Sequence, residues 1–207
     1  KLRLYVDADF AGDRLDCKST SGVFLALVGP RTFFPLSWLS KKQTATSRST
    51  TEAEMISLAL GLFSEALPAL QMWSFVLGRP MELEIMEDNE ATIKIVKKSG
   101  SAKLRHVSRT HRVNLASVYE QIEDPSIELV YVKSAEQAAD IFTKALAPQN
   151  WDHALNLIGV RQLAPHAPPA PPPPPPPAET NAHPAVKATI APGCPSVTRP
   201  APPPPPP

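Results

Sequence analysis

Apolar and polar residues alternate in Leu2-Arg3-Leu4-Tyr5-Val6, and the run then meets Asp7-Ala8-Asp9. Period-two alternation predicts a strand, here one that ends at acids. Val23 to Val28 is apolar throughout and predicts a buried strand, with Gly29-Pro30 as its turn. Thr32 to Leu39 predicts a third strand, in which Pro35 requires an edge position or a bulge because it cannot donate to a ladder. Short turns between the three predict an antiparallel meander.

From Ser49 the period becomes helical: Met55, Leu58, Ala59, Leu62, Phe63 and Ala66 recur at spacings of three and four. Ser49-Thr50-Thr51-Glu52 has the form of a capping box, and Thr51 to Glu54 fits the same template. Pro68 is expected to kink or end this helix, with a second stretch running to Leu77 and Gly78 as its stop. Leu83 to Met86 predicts a short strand ending at Glu87-Asp88-Asn89. Helices are expected over about 90–98 and 107–122, a strand over 127–132, a helix over 136–146, and a last helical piece from Pro148 to Ile158 closed by Gly159. The order β-β-β-α-β-α-α-β-α-α is of the α/β class, a mixed sheet with helices.

Composition changes abruptly near residue 164. Of 26 prolines, 20 follow Ala164, including the runs Pro171–Pro177 and Pro202–Pro207. Proline removes backbone donors and favours solvated polyproline II, so this tail is expected to be disordered. The expected organisation is a folded domain over 1–163 and a polyproline-rich tail over 164–207. The tail carries Lys187, Arg199 and Glu179, which leaves the domain formally neutral. That excludes a uniformly basic surface and still allows a local cationic stripe. Cys17 and Cys194 fall one in each part, an arrangement that favours neither a structural disulfide nor a zinc site. No segment approaches about 18 consecutive apolar residues, so no membrane span is expected. The chain begins on a strand at Lys1 and reads as a piece of a longer polyprotein, with an intracellular location.

Four acids lie where strand or helix ends would present them: Asp7, Glu54, Asp88 and Asp140. Taken singly, each also fits a turn, a cap or a solvated helix position. Together they suit phosphoryl hydrolysis assisted by two divalent ions about 3.5–4 Å apart, which needs several carboxylates converging on one point. Rigid strand and helix ends are suitable mounts.

Order, spacing and local words resemble the ribonuclease H domain of Ty1/copia-type retrotransposon polyproteins. The words are Tyr5-Val6-Asp7-Ala8-Asp9-Phe10-Ala11-Gly12, Lys18-Ser19-Thr20-Ser21-Gly22, Ser37 to Gln43, and Ser49-Thr50-Thr51-Glu52-Ala53-Glu54. They continue with Glu87-Asp88-Asn89 and Ala139-Asp140-Ile141-Phe142-Thr143-Lys144. The resemblance covers about residues 2–160. It implies a ribonuclease H-like fold with a mixed five-stranded sheet flanked by helices, and cleavage of the RNA strand of RNA–DNA hybrids. It further implies two Mg²⁺ ions, replaceable by Mn²⁺, on the catalytic acids Asp7, Glu54, Asp88 and Asp140. Asp7 would bridge both ions, Glu54 and Asp88 would complete one site and Asp140 the other. Reverse transcriptase and integrase regions would belong to the same polyprotein. Glu52 reads as a capping residue. A catalytically silent module of the same fold, binding nucleic acid or protein, is the alternative.

Lys94, Lys97, Lys98, Lys103, Arg105, Arg109 and Arg112 fall within nineteen residues that contain no Asp or Glu. In a neutral domain this is a footprint for phosphate. Lys41-Lys42 and Arg48 extend the same track. By resemblance, Thr51 and Asn89 are polar contacts to the hybrid, with Ser19 and Ser21 as weaker ones. Trp38 and Trp73 read as core. The polyproline tail suits an SH3-, WW- or profilin-like partner, or serves as a spacer.

Overall fold

The computed structural model describes residues 1–13 and 15–160. The segment 164–207, its expected disorder and partner, the boundary at 163 and Cys194 lie outside the described residues. Five strands form one mixed sheet in the order β3-β2-β1-β4-β5. They are β1 (Leu2–Asp9), β2 (Thr20–Gly29), β3 (Thr32–Lys42), β4 (Leu83–Glu87) and β5 (Ile127–Tyr131). The first three form the expected meander, with β2 antiparallel to both β1 and β3. β4 runs parallel to β1, and β5 parallel to β4. β3 is an edge strand, and the register shifts opposite Leu25 and Ala26, where Pro35 enters.

Both faces of β1 and β2 are covered, which is why β2 reads as a nearly unbroken apolar run. One face carries Leu2, Leu4, Val6, Val23 and Leu25 against Met55, Leu58 and Leu62 of the long helix. The other carries Tyr5, Phe24 and Ala26 against Ala138, Ala139 and Phe142. Burying each large apolar side chain contributes roughly 1.5–3 kcal/mol. Gly61 lets the helix approach the sheet closely, because a Cβ there would stand 3.0 Å from Val6 Cγ1 and 3.2 Å from Val23 Cγ1.

α1 (Thr50–Gly61) starts at Ser49, whose hydroxyl accepts from the Glu52 backbone N–H at 3.2 Å. The expected end or kink at Pro68 takes another form. Over Leu62–Ala66 the helix widens to a π-turn, and α2 (Leu67–Leu77) continues to Gly78 at φ +62°. The wider turn absorbs the N–H that Pro68 lacks. Thr50–Leu77 is therefore one helical stretch of 28 residues, long and apolar enough by length and composition alone to cross a membrane, a property that the core helix of a folded domain shares. Its first half is the core helix of the domain and carries two buried acids, Glu52 and Glu54.

Three further expectations change. The helix expected over 107–122 breaks into α4 (Val107–Thr110) and α5 (Leu115–Ile122), after α3 (Glu90–Lys97). Arg112 at φ +57° makes the break, and the Asn114 side chain caps α5 through the Ala116 N–H. The segment expected to be helical over 136–146 forms only the 3₁₀ turns Ser134–Glu136 and Asp140–Phe142. Its backbone is pinned to the sheet by the buried residues Gln137, Ala138 and Ala139, which prevents it from coiling. Trp38 is 63 % exposed on the edge strand and is not core, whereas Trp73 packs against the main core. α6 (Trp151–Leu157) follows a 3₁₀ turn at Pro148.

A candidate metal centre at the carboxyl ends of two parallel strands

Because β1 and β4 are parallel neighbours, their carboxyl ends deliver Asp7 and the pair Glu87-Asp88 to the same edge of the sheet. The last paired residues of this ladder are Tyr5 and Met86, so the strands part just before the acids. Gln137 fills the gap: its amide donates to Val6 O at 2.9 Å and Met86 O at 3.3 Å, and its own carbonyl accepts from Ala139 N–H at 3.3 Å. One buried side chain thus satisfies two strand-end carbonyls and fixes the turn that carries Asp140. Gly22, opposite Asp7 in the β1–β2 register, makes room for that turn. A Cβ at Gly22 would stand 2.5 Å from Thr143 Cγ2 and 2.9 Å from Ala139 O.

Glu54 enters from α1. Three residues on, buried Ser57 donates to Asp7 O at 2.7 Å and is 3.1 Å from Gly22 O, holding the helix against both strands. Asp7, Asp88 and Asp140 each offer an oxygen within 4.8 Å of the others, and so do Glu54, Glu87 and Asp88. Asp88 is common to both groups, so all four sequence-predicted acids meet at one place, and Glu87 joins them. In the sequence, Glu87 reads only as the end of a strand.

The two halves of this cluster differ in how their charge is compensated. Lys144 Nζ lies 3.0 Å from Asp7 Oδ1 and 2.7 Å from Asp140 Oδ1, and the Thr143 hydroxyl donates to Asp7 Oδ2. Burial alone would lower the Lys144 pKa, but Asp7 and Asp140 raise it above the usual lysine value. Asp140 is pushed up to about 6, mainly by burial and against the pull of Lys144. Ser134 donates to Asp88 at 2.6 Å. On the other side, burial first and then the charges of Glu87, Asp7 and Asp88 push Glu54 up to about 10. Burial likewise raises Glu87 well above the ordinary carboxyl range.

Glu54 Oε2 and Glu87 Oε2 are buried and have no hydrogen-bond partner among the described residues. A donor set made only of carboxylate oxygens, two of them unsatisfied, fits a hard divalent cation such as Mg²⁺ or Mn²⁺. Asp9, the neighbour of the first acid pair, is in neither group.

The expected nucleic-acid contacts meet different fates. Lys97, Lys98, Lys103, Arg105, Arg109 and Arg112 are all exposed, and Thr51 is half-buried in the first turn of α1. Asn89 Oδ1 is committed to capping α3 through the Ala91 and Thr92 N–H groups, which leaves its amide hydrogens to offer. Ser19 and Ser21 are buried, and their hydroxyls are engaged inside the protein, accepting from Ala11 N–H and Gln43 Nε2. Lys42 pairs with Asp13 and Asp16 and drops out of the cationic track.

Glu52 does more than cap. Its carboxylate is 1 % exposed, accepts from Arg48 N–H at 3.1 Å, and lies 3.1 Å from His106 Nε2 and 3.2 Å from His111 Nε2. It therefore fastens the basic segment to the helix turn that bears Glu54. A cleft of about 410 Å³ beside His111 and Arg112 is floored by Ile56 and Phe63 and does not include the acids.

No protein-family profile matches the chain. It is 30 % identical over 167 residues to the retrovirus-related Pol polyprotein from transposon RE1 of Arabidopsis thaliana, across 79 % of this chain. It is 29 % identical over 161 residues to that of transposon TNT 1-94 of Nicotiana tabacum, across 77 %. In both cases it spans only 11 % of the relative's own length. Among solved structures, LC11-RNase H1 aligns over 69 % of this chain and 92 % of its own, with a TM-score of 0.43 and 16 % identity. The same enzyme in complex with an RNA/DNA hybrid gives a TM-score of 0.45 and 19 % identity, over 69 % of this chain and 94 % of its own. Over these residues the chain is thus similar to one segment of the retrovirus-related Pol polyproteins of transposons RE1 and TNT 1-94.

Proposed function

We propose that residues 1–160 form a ribonuclease H, a divalent-metal-dependent endonuclease that hydrolyses the RNA strand of RNA–DNA hybrids. The observation that carries this reading is the convergence of Asp7, Glu54, Asp88 and Asp140 from four separate segments, two of them, Glu54 and Asp88, in the group that holds the unpartnered buried oxygens of Glu54 and Glu87. Relatedness to retrotransposon Pol polyproteins supports it. In such a polyprotein the domain would act beside reverse transcriptase and integrase regions.

Asp7, Glu54, Asp88 and Asp140 would hold Mg²⁺ or Mn²⁺, which when bound supplies stabilisation of phosphoryl charge and an acidified water. The chain's own residues do the rest. Thr143 and Ser134 fix the rotamers of Asp7 and Asp88 by donating to them. Gln137, Ser57 and Gly22 set the separation of the four acids, and rigid placement of this kind is worth orders of magnitude in rate. The exposed cations Lys97, Lys98, Lys103, Arg105, Arg109 and Arg112 offer phosphate contacts. Thr51 and the Asn89 amide are the candidates for reading ribose hydroxyls beside the acids. In the reaction, water adds to phosphorus and the bond to the 3′-oxygen breaks, giving a 3′-hydroxyl and a 5′-phosphate.

Strand selectivity tests the proposal. The protein with Mg²⁺ or Mn²⁺ is expected to cut the labelled RNA strand of a hybrid and leave the DNA strand and duplex DNA intact. No cutting by a folded protein that still binds the hybrid would favour the second reading, a silent nucleic-acid-binding module. One observation speaks for that alternative: Lys144 already neutralises Asp7 and Asp140.

A further inference from the structure

We propose that Glu87 is a fifth metal-binding carboxylate, completing with Glu54 and Asp88 a cation site that the four-acid pattern alone does not define. The inference rests on the metal-centre reading above. Consecutive strand residues point to opposite faces, so an adjacent Glu and Asp would not normally serve one site. Here β4 ends at Glu87, whose side chain shares the α1 face with buried Leu83 and Ile85. Asp88 lies beyond the strand, and both carboxylates offer an oxygen within 4.8 Å of Glu54.

Glu87 is fully buried at 0 % exposure. Its backbone is held by the Val132 N–H to Glu87 O bond at 3.0 Å, and its Oε1 accepts from Asn89 N–H at 3.1 Å. Oε2 has no partner, nor does Oε2 of Glu54. Among the described residues no Lys, Arg or His pairs with Glu54, Glu87 or Asp88, whereas Lys144 serves Asp7 and Asp140. A buried carboxylate cluster without a counter-ion is strongly unfavourable. A divalent cation against the two free oxygens resolves that, and does so on the side Lys144 leaves open.

The test is Mn²⁺ binding by the full chain, followed by calorimetry and by the loss of the free-ion paramagnetic signal, in wild type, Glu87→Gln and Glu87→Asp. Glu87→Gln keeps shape and removes charge, so it is expected to fold with an unchanged circular dichroism spectrum. Its affinity for one ion should fall roughly tenfold or more, the scale of losses at metal-site residues. Glu87→Asp keeps the charge but shortens the reach; it is expected to lose affinity too, and it provides the reading should the Gln variant not fold. Wild-type affinity and stoichiometry in either folded variant would overturn the inference and make Glu87 a neutral structural acid, while hybrid cleavage by the wild type would leave the ribonuclease reading standing. Wild-type protein that binds no Mn²⁺ and cuts no hybrid would overturn both.

Discussion

Lys144 Nζ lies 3.0 Å from Asp7 Oδ1, joining the last structured turn of the site to the first strand across 137 positions of sequence. The ammonium also meets Asp140, so one side chain balances two of the acids. Lys144→Ala should therefore destabilise the metal-free protein while opening the site to cations. Losing this partly exposed pairing with two acids, about 1 kcal/mol in all, corresponds to a Tm drop of about 2–4 °C in a domain of this size. Mn²⁺ is expected to restore the loss, and calorimetry should show tighter binding than in wild type. A variant that is both less stable and weaker in metal binding would contradict this role.

Gly22 faces the turn that carries Asp140, and a methyl group there meets Ala139 O at 2.9 Å. Backbone cannot yield as a side-chain tip can, so Gly22→Ala should shift Asp140 relative to Asp7. Displacement near 1 Å costs on the order of a hundredfold in rate. The expected result is a large loss of hybrid cleavage with a far-UV circular dichroism spectrum like that of wild type. Full activity in Gly22→Ala would show that the turn docks otherwise.

Acid titration gives a third expectation. Asp140 is raised to about 6 and Glu54 to about 10, so both hold protons in the metal-free fold that they release when unfolded. Such groups stabilise the fold fully below their ordinary pKa, near 4, and progressively less as pH rises toward the folded values. The Tm of the metal-free protein should therefore fall between about pH 5 and pH 8. Glu54→Gln should flatten this slope, because the amide carries no charge to bury. Saturating Mg²⁺ should flatten it as well, by replacing the protons. A slope that is the same in Glu54→Gln and wild type would show that Glu54 is not a source of it.

The basic segment gives a fourth. Lys103, Arg105 and Arg109 are exposed, and Glu52 anchors their segment to α1 through His106. Replacing Arg109 or Lys103 by Ala should weaken hybrid binding at every sequence alike and reduce the salt slope by about one per lost phosphate contact. Metal binding should be unaffected. An unchanged salt slope in both variants would place the hybrid elsewhere.

The parts of this fold that were legible in the sequence are those with local causes. Alternation and turn residues define the three-stranded meander, Ser49 marks the start of α1, and the two acids fall close to strand ends, Asp7 two residues before the end of β1 and Asp88 one residue past β4. Asp140 is legible as a site acid, but its conformation is not, because 136–146 has helical composition and predicts a helix. Its conformation is decided instead by Gln137, which reaches strand ends 51 and 131 residues away in sequence. Pro68 reads as an obstacle, but the π-turn that absorbs it depends on packing against the sheet. Glu52, Ser57, Glu87 and Lys144 have roles set by partners far along the chain, and their local words gave no signal beyond the i, i+4 spacing of Asp140 and Lys144. Trp38 reads as core but is exposed, because its strand lies at the sheet edge, where burial is decided by what covers it.

The most direct test of the central claim compares hybrid cleavage by wild type and by Asp7→Asn, Glu54→Gln, Asp88→Asn and Asp140→Asn, in Mg²⁺ and again with the metal chelated. Metal-dependent cutting of the RNA strand that falls by two or more orders of magnitude in each folded variant is the result expected of one shared site. Cutting that survives chelation, or that persists undiminished in Asp7→Asn or Asp88→Asn, would contradict the account.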